Sequence, residues 1–191
     1  LADIHIRNLK YHTEYKEVFS QLYKKLSEEE VDAIVVVGDV AHTKTQLSPE
    51  YFDMCALFLI SLGNIAPTFV TLGNHDGNLR TIHRQDAITP IVEALADPNV
   101  KLLKNSGEWE IADGIVFNNL SIFDTNNWSD PTEPEKINIA LYHGSVAGCK
   151  TDAGWVMEHG ENDISIFEEF DFAMLGDIHK RQQMDKEGRI W

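Results

Sequence analysis

The chain has few cysteines, no long apolar run and no basic segment followed by an apolar one in its first residues. Cys55 and Cys149 are the only cysteines among 191 residues, which is too few for a disulfide framework. The longest apolar stretch, around residues 55–62, is far shorter than the roughly 20 residues that a membrane-spanning helix needs. We therefore expect a globular domain without a membrane span, located inside the cell in the cytoplasm.

Positive charge is also scarce. The chain has 16 basic and 31 acidic residues, for a net charge of -15. Affinity for nucleic acid depends largely on Lys and Arg at the phosphates, so this balance is unfavourable for a domain that binds DNA by itself. Two bound divalent cations would offset only about four of the negative charges.

The alternation of helical and strand periods predicts an α/β fold in one ordinary domain. Three helices are expected. The first covers apolar residues at helical spacing in 15–26. The second begins at Ser48-Pro49, with Ser48 as N-cap, and ends near a C-capping Gly63. The third runs to residue 95 and is expected to be capped by Asp86.

Short β-branched or alternating runs predict the strands. A polar segment, 126–135, is expected to be a surface loop, and a hairpin that turns at 185–188 is expected to close the chain. The predicted strands are 33–37, 67–72, 100–103, 108–111, 115–119, 137–142 and 172–175.

Five strand-like segments each end in a turn that contains a possible metal ligand. Open α/β sheets bind ligands at this strand edge, and glycine lets the backbone turn sharply there. One such turn is weak evidence, because an Asp or His at a strand end more often serves as a cap or hydrogen-bonding residue. Five in succession predict one shared site. The turns are Asp3-Ile4-His5, Gly38-Asp39, Gly73-Asn74-His75-Asp76, His143-Gly144 and Gly176-Asp177-Ile178-His179.

These motifs, in this order and over nearly the whole chain, resemble those of the calcineurin-like metallophosphoesterases. Within that superfamily, the strings at 2–8, 38–42, 86–91 and 175–180 resemble the SbcD-type nuclease subunit of double-strand-break repair. The resemblance implies an α/β layered sandwich in which helices flank two mixed β-sheets.

The resemblance also implies two divalent metal ions, with Asp39 as the residue that bridges them. Where Asp177 stands, the nuclease family usually has histidine. The aspartate adds a hard oxygen ligand, so we expect Mn²⁺, with Mg²⁺, Fe²⁺ or Zn²⁺ as the other options. The implied ligands are Asp3, His5 and His179 for the first ion, Asn74, His143 and Asp177 for the second, and Asp39 for both.

Two histidines outside this ligand set are carried over as catalytic. His75 is expected to protonate or stabilise the leaving oxygen, since an imidazole exchanges protons near neutral pH. His42 is expected to help position the phosphate, the alternative being a loop histidine with a hydrogen-bonding role. Asp76 is expected to orient His75 or its turn rather than to bind metal.

Three functions remain open from the sequence. The resemblance implies a Mn²⁺-dependent DNA nuclease, with 3′-to-5′ exonuclease and single-strand endonuclease activity. The second is a phosphodiesterase or phosphatase acting on nucleotides or other small phosphoesters. The third is a non-catalytic scaffold, which predicts gaps among the ligands, whereas every ligand position here is filled.

The resemblance to the nuclease subunit also implies partners. An SbcC-type coiled-coil ATPase and a second copy of the subunit are expected. Residues 1–191 are expected to be a nuclease domain truncated at both ends, without a C-terminal capping and partner-binding region. Because the net charge is -15, the affinity for DNA is expected to come from that region, the dimer or the ATPase. Basic residues near the motifs are expected either to contact DNA phosphates or to be scattered surface charges. They are Arg7, Lys10, Arg80, Arg84, Lys180 and Arg181.

Overall fold

A computed structural model describes all 191 residues, which form two compact units. The first unit contains Leu1 and Asp3–Leu103, and the second contains Ala2 and Lys104–Trp191. Each unit has its own β-sheet, so the predicted α/β fold with two sheets and helices is confirmed. None of the helices combines the length and the apolar character needed to span a bilayer.

The sheet of the first unit has three parallel strands in the order β1-β2-β3. They are β1 (Ile34–Val37), β2 (Thr68–Thr71) and β3 (Val100–Leu103). Every residue of β1 and β2 is buried, as expected for continuous β-branched runs in a parallel sheet. The named strands of this sheet are all parallel, so only the second sheet is mixed.

All three α-helices belong to the first unit: α1 (His12–Glu28), α2 (Pro49–Gly63) and α3 (Thr89–Leu95). The predicted cap of α2 is confirmed, because the Ser48 hydroxyl accepts a hydrogen bond from the Tyr51 amide. Phe19 of α1 packs on Phe58 of α2, with ring centroids 4.5 Å apart. This aromatic contact joins the two helices through their buried faces.

Two predicted cap positions were wrong. Gly63 is the last helical residue and Asn64 is the C-cap of α2. A Cβ at Gly63 would lie 2.9 Å from Val100 Cγ2, so the glycine permits close packing of the helix on β3. Ile88, not Asp86, precedes α3 as N-cap. The Asp86 carboxylate nevertheless accepts from the amides of Ile88 and Thr89, so it satisfies donors at that helix start.

The second unit has a mixed four-stranded sheet in the order β4-β5-β6-β7. Only β4 and β5 are antiparallel. Two 3₁₀ turns, Thr125–Asn127 and Ile164–Phe167, complete its regular structure, and Tyr142, Phe167 and Phe170 are prominent in its core. The strands are β4 (Gly107–Ala112), β5 (Ile115–Leu120), β6 (Ile137–His143) and β7 (Phe172–Gly176).

The predicted hairpin at 185–188 is confirmed in its turn, but the residues after the turn pair mainly with β7 and not with the residues before it. The Asp185 carboxylate accepts from the Arg189 amide at 2.9 Å, which closes the turn. Ile190 forms a parallel bridge with Ala173 of β7, and the Trp191 amide donates to the Ala173 carbonyl. Between the two predicted arms of the hairpin there is one backbone hydrogen bond, from the Met184 amide to the Ile190 carbonyl. The last residues therefore pair mainly with β7.

Candidate metal centre

The N-terminal segment runs parallel to the chain that leaves β1. The Asp3 amide donates to Gly38 O at 3.2 Å and the His5 amide donates to Asp39 O at 2.9 Å. Ile6 then forms a parallel bridge with Ala41. The strand-like segment that carries Asp3 and His5 is thus an isolated bridge, and its pairing places both residues beside Asp39.

Three of these predicted ligands have left-handed backbone conformations. The φ angles are 56° at Asp3, 51° at His5 and 53° at Asp39. For a residue with a Cβ this conformation costs roughly 1–2 kcal/mol. Backbone strain of this kind concentrates at functional sites, where a side chain must be held in a direction that relaxed backbone does not provide. The strained backbone at Asp3, His5 and Asp39 is therefore a second indication, besides the motifs, that these residues form a functional site.

The side chains in this part of the first unit form a compact acidic group. The Asp3 and Asp39 side chains are 8% and 2% exposed. His5 Nε2 lies 4.0 Å from Asp3 Oδ1 and 3.7 Å from Asp39 Oδ2. Holding two carboxylates in a largely buried place is unfavourable unless a cation balances their charge. Carboxylate oxygens and an imidazole nitrogen are also suitable donors, so the residues fit a divalent metal ion.

The turn after β2 is tied to the same segment through Asp76. The fully buried Asp76 carboxylate accepts from the Ala41 amide at 2.8 Å and from the Gly73 amide at 2.9 Å. The His75 amide donates to Asp39 Oδ1 at 2.8 Å. Asp76 therefore joins the loops that follow β1 and β2, and it sets the position of the turn that carries Asn74 and His75.

His75 is oriented by a contact with the loop after β1. Its Nδ1 lies 2.8 Å from the carbonyl oxygen of His42. Because a carbonyl can only accept, Nδ1 carries the proton and Nε2 is the atom that can exchange a proton with a substrate. The side chain is exposed, so a substrate can reach it.

His42 has the character of a neutral imidazole. Burial, and then the charge of Arg7, lowers the pKa of His42 below its ordinary value. Its Nδ1 is buried and has no hydrogen-bond partner. A neutral ring with a buried nitrogen in this state is suited to accept from a donor or to coordinate a cation.

Two residues that the motifs did not indicate also touch the site. The Tyr15 hydroxyl donates to the His5 carbonyl at 2.6 Å. The Lys44 ammonium donates to the Asn74 carbonyl at 2.7 Å and places a positive charge on the turn after β2. Tyr15 has only a helical spacing signal and Lys44 belongs to no motif, so the sequence contained no local signal for either contact.

In the second unit, His143 and Asp177 are neighbours at the ends of β6 and β7. His143 pairs in register with Gly176, so Asp177 follows directly beside it. His143 Nε2 lies 4.0 Å from Asp177 Oδ1, and the His143 side chain is 1% exposed. Asp177 has a φ of 82°, a fourth predicted ligand in the left-handed region. His179 is exposed and lies two residues further along the same loop.

The glycine after His143 is required by packing. A Cβ at Gly144 would collide with the Tyr142 hydroxyl and would lie 2.7 Å from Glu161 Oε2. The His-Gly motif thus combines a possible ligand with a residue small enough for the chain to pass a large aromatic side chain.

The predicted ligands therefore fall into two sets, each assembled within its own unit. Asp3, His5 and Asp39 lie together in the first unit, with Asn74 on the turn tied to them. His143 and Asp177 lie together in the second unit, where His179 shares the loop of Asp177. The division of these residues between two ions stays a prediction.

Comparison with known proteins gives the family. The protein named "Uncharacterized protein R555", from Acanthamoeba polyphaga mimivirus, is 40% identical over 204 aligned residues, which cover 100% of this chain and 15% of that protein. "Putative phosphoesterase 244L", from Invertebrate iridescent virus 6, is 24% identical over 180 residues, or 89% of this chain and 60% of that protein. The chain thus spans less than two thirds of the length of either relative. The family model described as calcineurin-like phosphoesterase matches residues 1–181. The chain therefore belongs to the calcineurin-like phosphoesterase family, whose members are metal-dependent hydrolases.

Proposed function

We propose that the chain is the catalytic domain of a two-metal phosphodiester hydrolase that cuts DNA. In this proposal it is a Mn²⁺-dependent exonuclease and endonuclease subunit that acts in double-strand-break repair inside the cell. The main support is the arrangement in which His75 is bonded through its amide to Asp39, next to Asp3 and His5. The four strings that resemble the SbcD-type subunit support the choice of DNA over other phosphodiesters.

The metal ions are proposed to be held by the ligands that the family motifs imply. Asp39 has two carboxylate oxygens and is proposed to serve both ions. Ions held there would neutralise charge on the phosphoryl oxygens and activate the attacking water. The proposed ligands are Asp3, His5, Asp39, Asn74, His143, Asp177 and His179.

His75 is proposed to act on the leaving oxygen. Its Nδ1–H donates to the His42 carbonyl, and that contact also stabilises the ring when Nε2 is protonated. Nε2 then donates its proton to the departing oxygen. General acid catalysis of this kind contributes about 10²- to 10⁴-fold to rate. His42 keeps its proposed role beside the phosphate.

Asp177 makes the metal preference testable. It adds a carboxylate oxygen at a position where the nuclease family usually has an imidazole, and oxygen donors favour Mn²⁺ or Mg²⁺. Asp177→His is therefore expected to raise the affinity for Zn²⁺ relative to Mn²⁺ above the ratio of the parent protein, as measured by metal binding rather than turnover. An unchanged affinity ratio in this variant would remove Asp177 from the ligand set.

The net charge of -15 requires a partner if DNA is the substrate. Basic residues lie on the same loops as the site in the first unit, among them Arg7, Lys44 and Arg80. They are proposed to meet phosphates near the cut. The remaining affinity for DNA is proposed to come from an SbcC-type ATPase, a second copy of the subunit or another region of the full-length protein.

The deciding experiment compares three substrates in Mn²⁺. An end-labelled DNA duplex is tested with and without the ATPase, next to bis-p-nitrophenyl phosphate and cyclic AMP. Digestion of the duplex, strengthened by the ATPase, is expected. Turnover of the small esters without any cutting of DNA would replace this proposal with a phosphodiesterase for small substrates, which the acidic charge balance favours.

The role of His75 is tested with His75→Ala and a matched control, His83→Ala. Both histidines are exposed, and His83 lies outside the motifs. His75→Ala is expected to lose about 10²- to 10⁴-fold in turnover while it retains bound Mn²⁺. His83→Ala is expected to behave like the parent protein. Full turnover of His75→Ala under saturating Mn²⁺ would reject the assignment.

A further inference from the structure

Three histidines of the first unit form a cluster of which only His5 belongs to the two-metal ligand set. His5 comes from the N-terminal segment, His42 from the loop after β1 and His75 from the turn after β2. Their ring centroids are 4.8 Å apart for His5 and His75, 5.7 Å for His5 and His42, and 6.0 Å for His42 and His75. One nitrogen from each ring lies within 4.8 Å of the other two.

The hydrogen bonds of the cluster leave nitrogen lone pairs suited to a metal. His75 Nδ1–H donates to the His42 carbonyl, which leaves Nε2 as the ring atom with a lone pair. Metal-bound histidines in proteins are typically oriented in this way by a second-nitrogen hydrogen bond. His42 Nδ1 is buried without a hydrogen-bond partner, a situation that a bound ion would account for.

We propose that His5, His42 and His75 bind a divalent transition metal of the Zn²⁺ class at a site that competes with the first catalytic position for His5. Three imidazoles favour Zn²⁺, Cu²⁺ and Ni²⁺, whereas carboxylate-rich sites suit Mn²⁺ and Mg²⁺. Zn²⁺ lies about 2.0–2.1 Å from a histidine nitrogen. Nitrogens that are already within 4.8 Å of one another reach one ion after small side-chain rotations.

Occupation of this site inhibits the enzyme, an effect that rests on the hydrolase function proposed above. His5 is withdrawn from Asp3 and Asp39, which it otherwise joins as a ligand of the first ion. His75 Nε2 becomes a metal ligand and no longer carries a proton for the leaving oxygen. Mn²⁺ therefore supports turnover, whereas Zn²⁺ added to the Mn²⁺ enzyme suppresses it.

The coordination is tested with Cu²⁺, whose electron paramagnetic resonance spectrum shows coupling to bound nitrogens. One equivalent of Cu²⁺ added to the full chain is expected to couple to three imidazole nitrogens. His42→Ala and His75→Ala are each expected to lose one nitrogen, and His83→Ala to retain all three. The use of two variants guards against misfolding of one, and circular dichroism checks the fold of each. Identical coupling in the parent protein, His42→Ala and His75→Ala would overturn the proposal.

Affinity and inhibition give the second measurement. Zn²⁺ binding, measured by competition with a chromophoric chelator, is expected to weaken by at least about tenfold in His42→Ala, since even the loss of an outer-shell partner costs about 10- to 100-fold. The Zn²⁺ concentration that halves Mn²⁺-supported hydrolysis of bis-p-nitrophenyl phosphate is expected to rise by the same factor, relative to the activity of each variant without Zn²⁺. His83→Ala is the control in both assays.

The two proposals fail in different ways. If the chain does not hydrolyse phosphodiesters, the Cu²⁺ spectrum and the Zn²⁺ affinities still decide whether the histidine site exists. If Mn²⁺-dependent hydrolysis is present but His42→Ala binds Zn²⁺ as tightly as His83→Ala does, the histidine site is rejected and the hydrolase function stands.

Discussion

The buried carboxylate of Asp76 links the turn after β2 to the loop after β1 through the Ala41 amide, and its bond to Gly73 lies within that turn. It accepts from the Ala41 amide at 2.8 Å and from the Gly73 amide at 2.9 Å, and both residues are buried. Asp76→Ala removes both acceptors and leaves two amides inside the protein without these partners. We expect this substitution to destabilise the first unit and to release the turn that carries His75.

The magnitude follows from the two bonds. A hydrogen bond to a charged group contributes about 1.5–3 kcal/mol. Asp76→Ala is therefore expected to lower the free energy of unfolding by about 3–6 kcal/mol, a large part of the 5–15 kcal/mol typical of a domain. Asp76→Asn keeps one acceptor oxygen in the same place, so its expected loss is about half as large, roughly 1.5–3 kcal/mol.

Urea unfolding provides the assay, because two optical signals separate the units. The three α-helices lie in the first unit, so far-UV circular dichroism follows that unit most strongly. The four tryptophans lie in the second, so their fluorescence follows the other. The matched control is Asp53→Ala, an exposed position on α2, with an expected change within about 0.5 kcal/mol.

The order of the variants is the critical result. Asp76→Ala is expected to have the lowest midpoint by circular dichroism, followed by Asp76→Asn, with Asp53→Ala close to the parent protein. If Asp76→Ala unfolds at the same urea concentration as Asp53→Ala, the two hydrogen bonds do not stabilise the first unit and the assignment of Asp76 as the residue that joins the loops is wrong.

Three further predictions concern backbone conformation, burial and packing. Glu30 follows the end of α1 and has a φ of 49°. Glu30→Gly is expected to raise the free energy of unfolding, measured in urea, by about 0.5–1 kcal/mol, whereas Glu29→Gly, at a φ of -82°, should not raise it. Burial raises the pKa of the Cys55 thiol to about 12, so iodoacetamide at neutral pH should label it only after unfolding, as peptide mass spectrometry will show; labelling in the folded protein would contradict its burial. Gly144→Ala introduces a Cβ against the Tyr142 hydroxyl and is expected to cost about 1–3 kcal/mol, seen as a lower thermal midpoint; an unchanged midpoint would show that the tyrosine moves aside freely.

Features encoded by neighbouring residues were readable from the sequence. The β-branched run before Gly38 predicted β1, and Ser48-Pro49 predicted the start of α2, because strand burial and helix capping depend on residues close together in the chain. The strand-end motifs likewise predicted which turns carry ligand-type side chains. Periodicity, turn chemistry and motif order are local properties, so the sequence alone determined the α/β class and the family.

Contacts between distant residues were decided only by the tertiary structure. Asp76 reaches Ala41 across 35 positions, and Lys44 reaches Asn74 across 30. The left-handed backbone at Asp3 and the pairing of Ile190 with Ala173 also depend on neighbours from elsewhere in the chain. Parallel strands bring together segments that a crossover separates, so no local pattern specifies which atoms meet at their ends. The motifs therefore identified candidate ligands, whereas the folded chain determined how those in each unit are held and that three histidines lie close enough to share an ion.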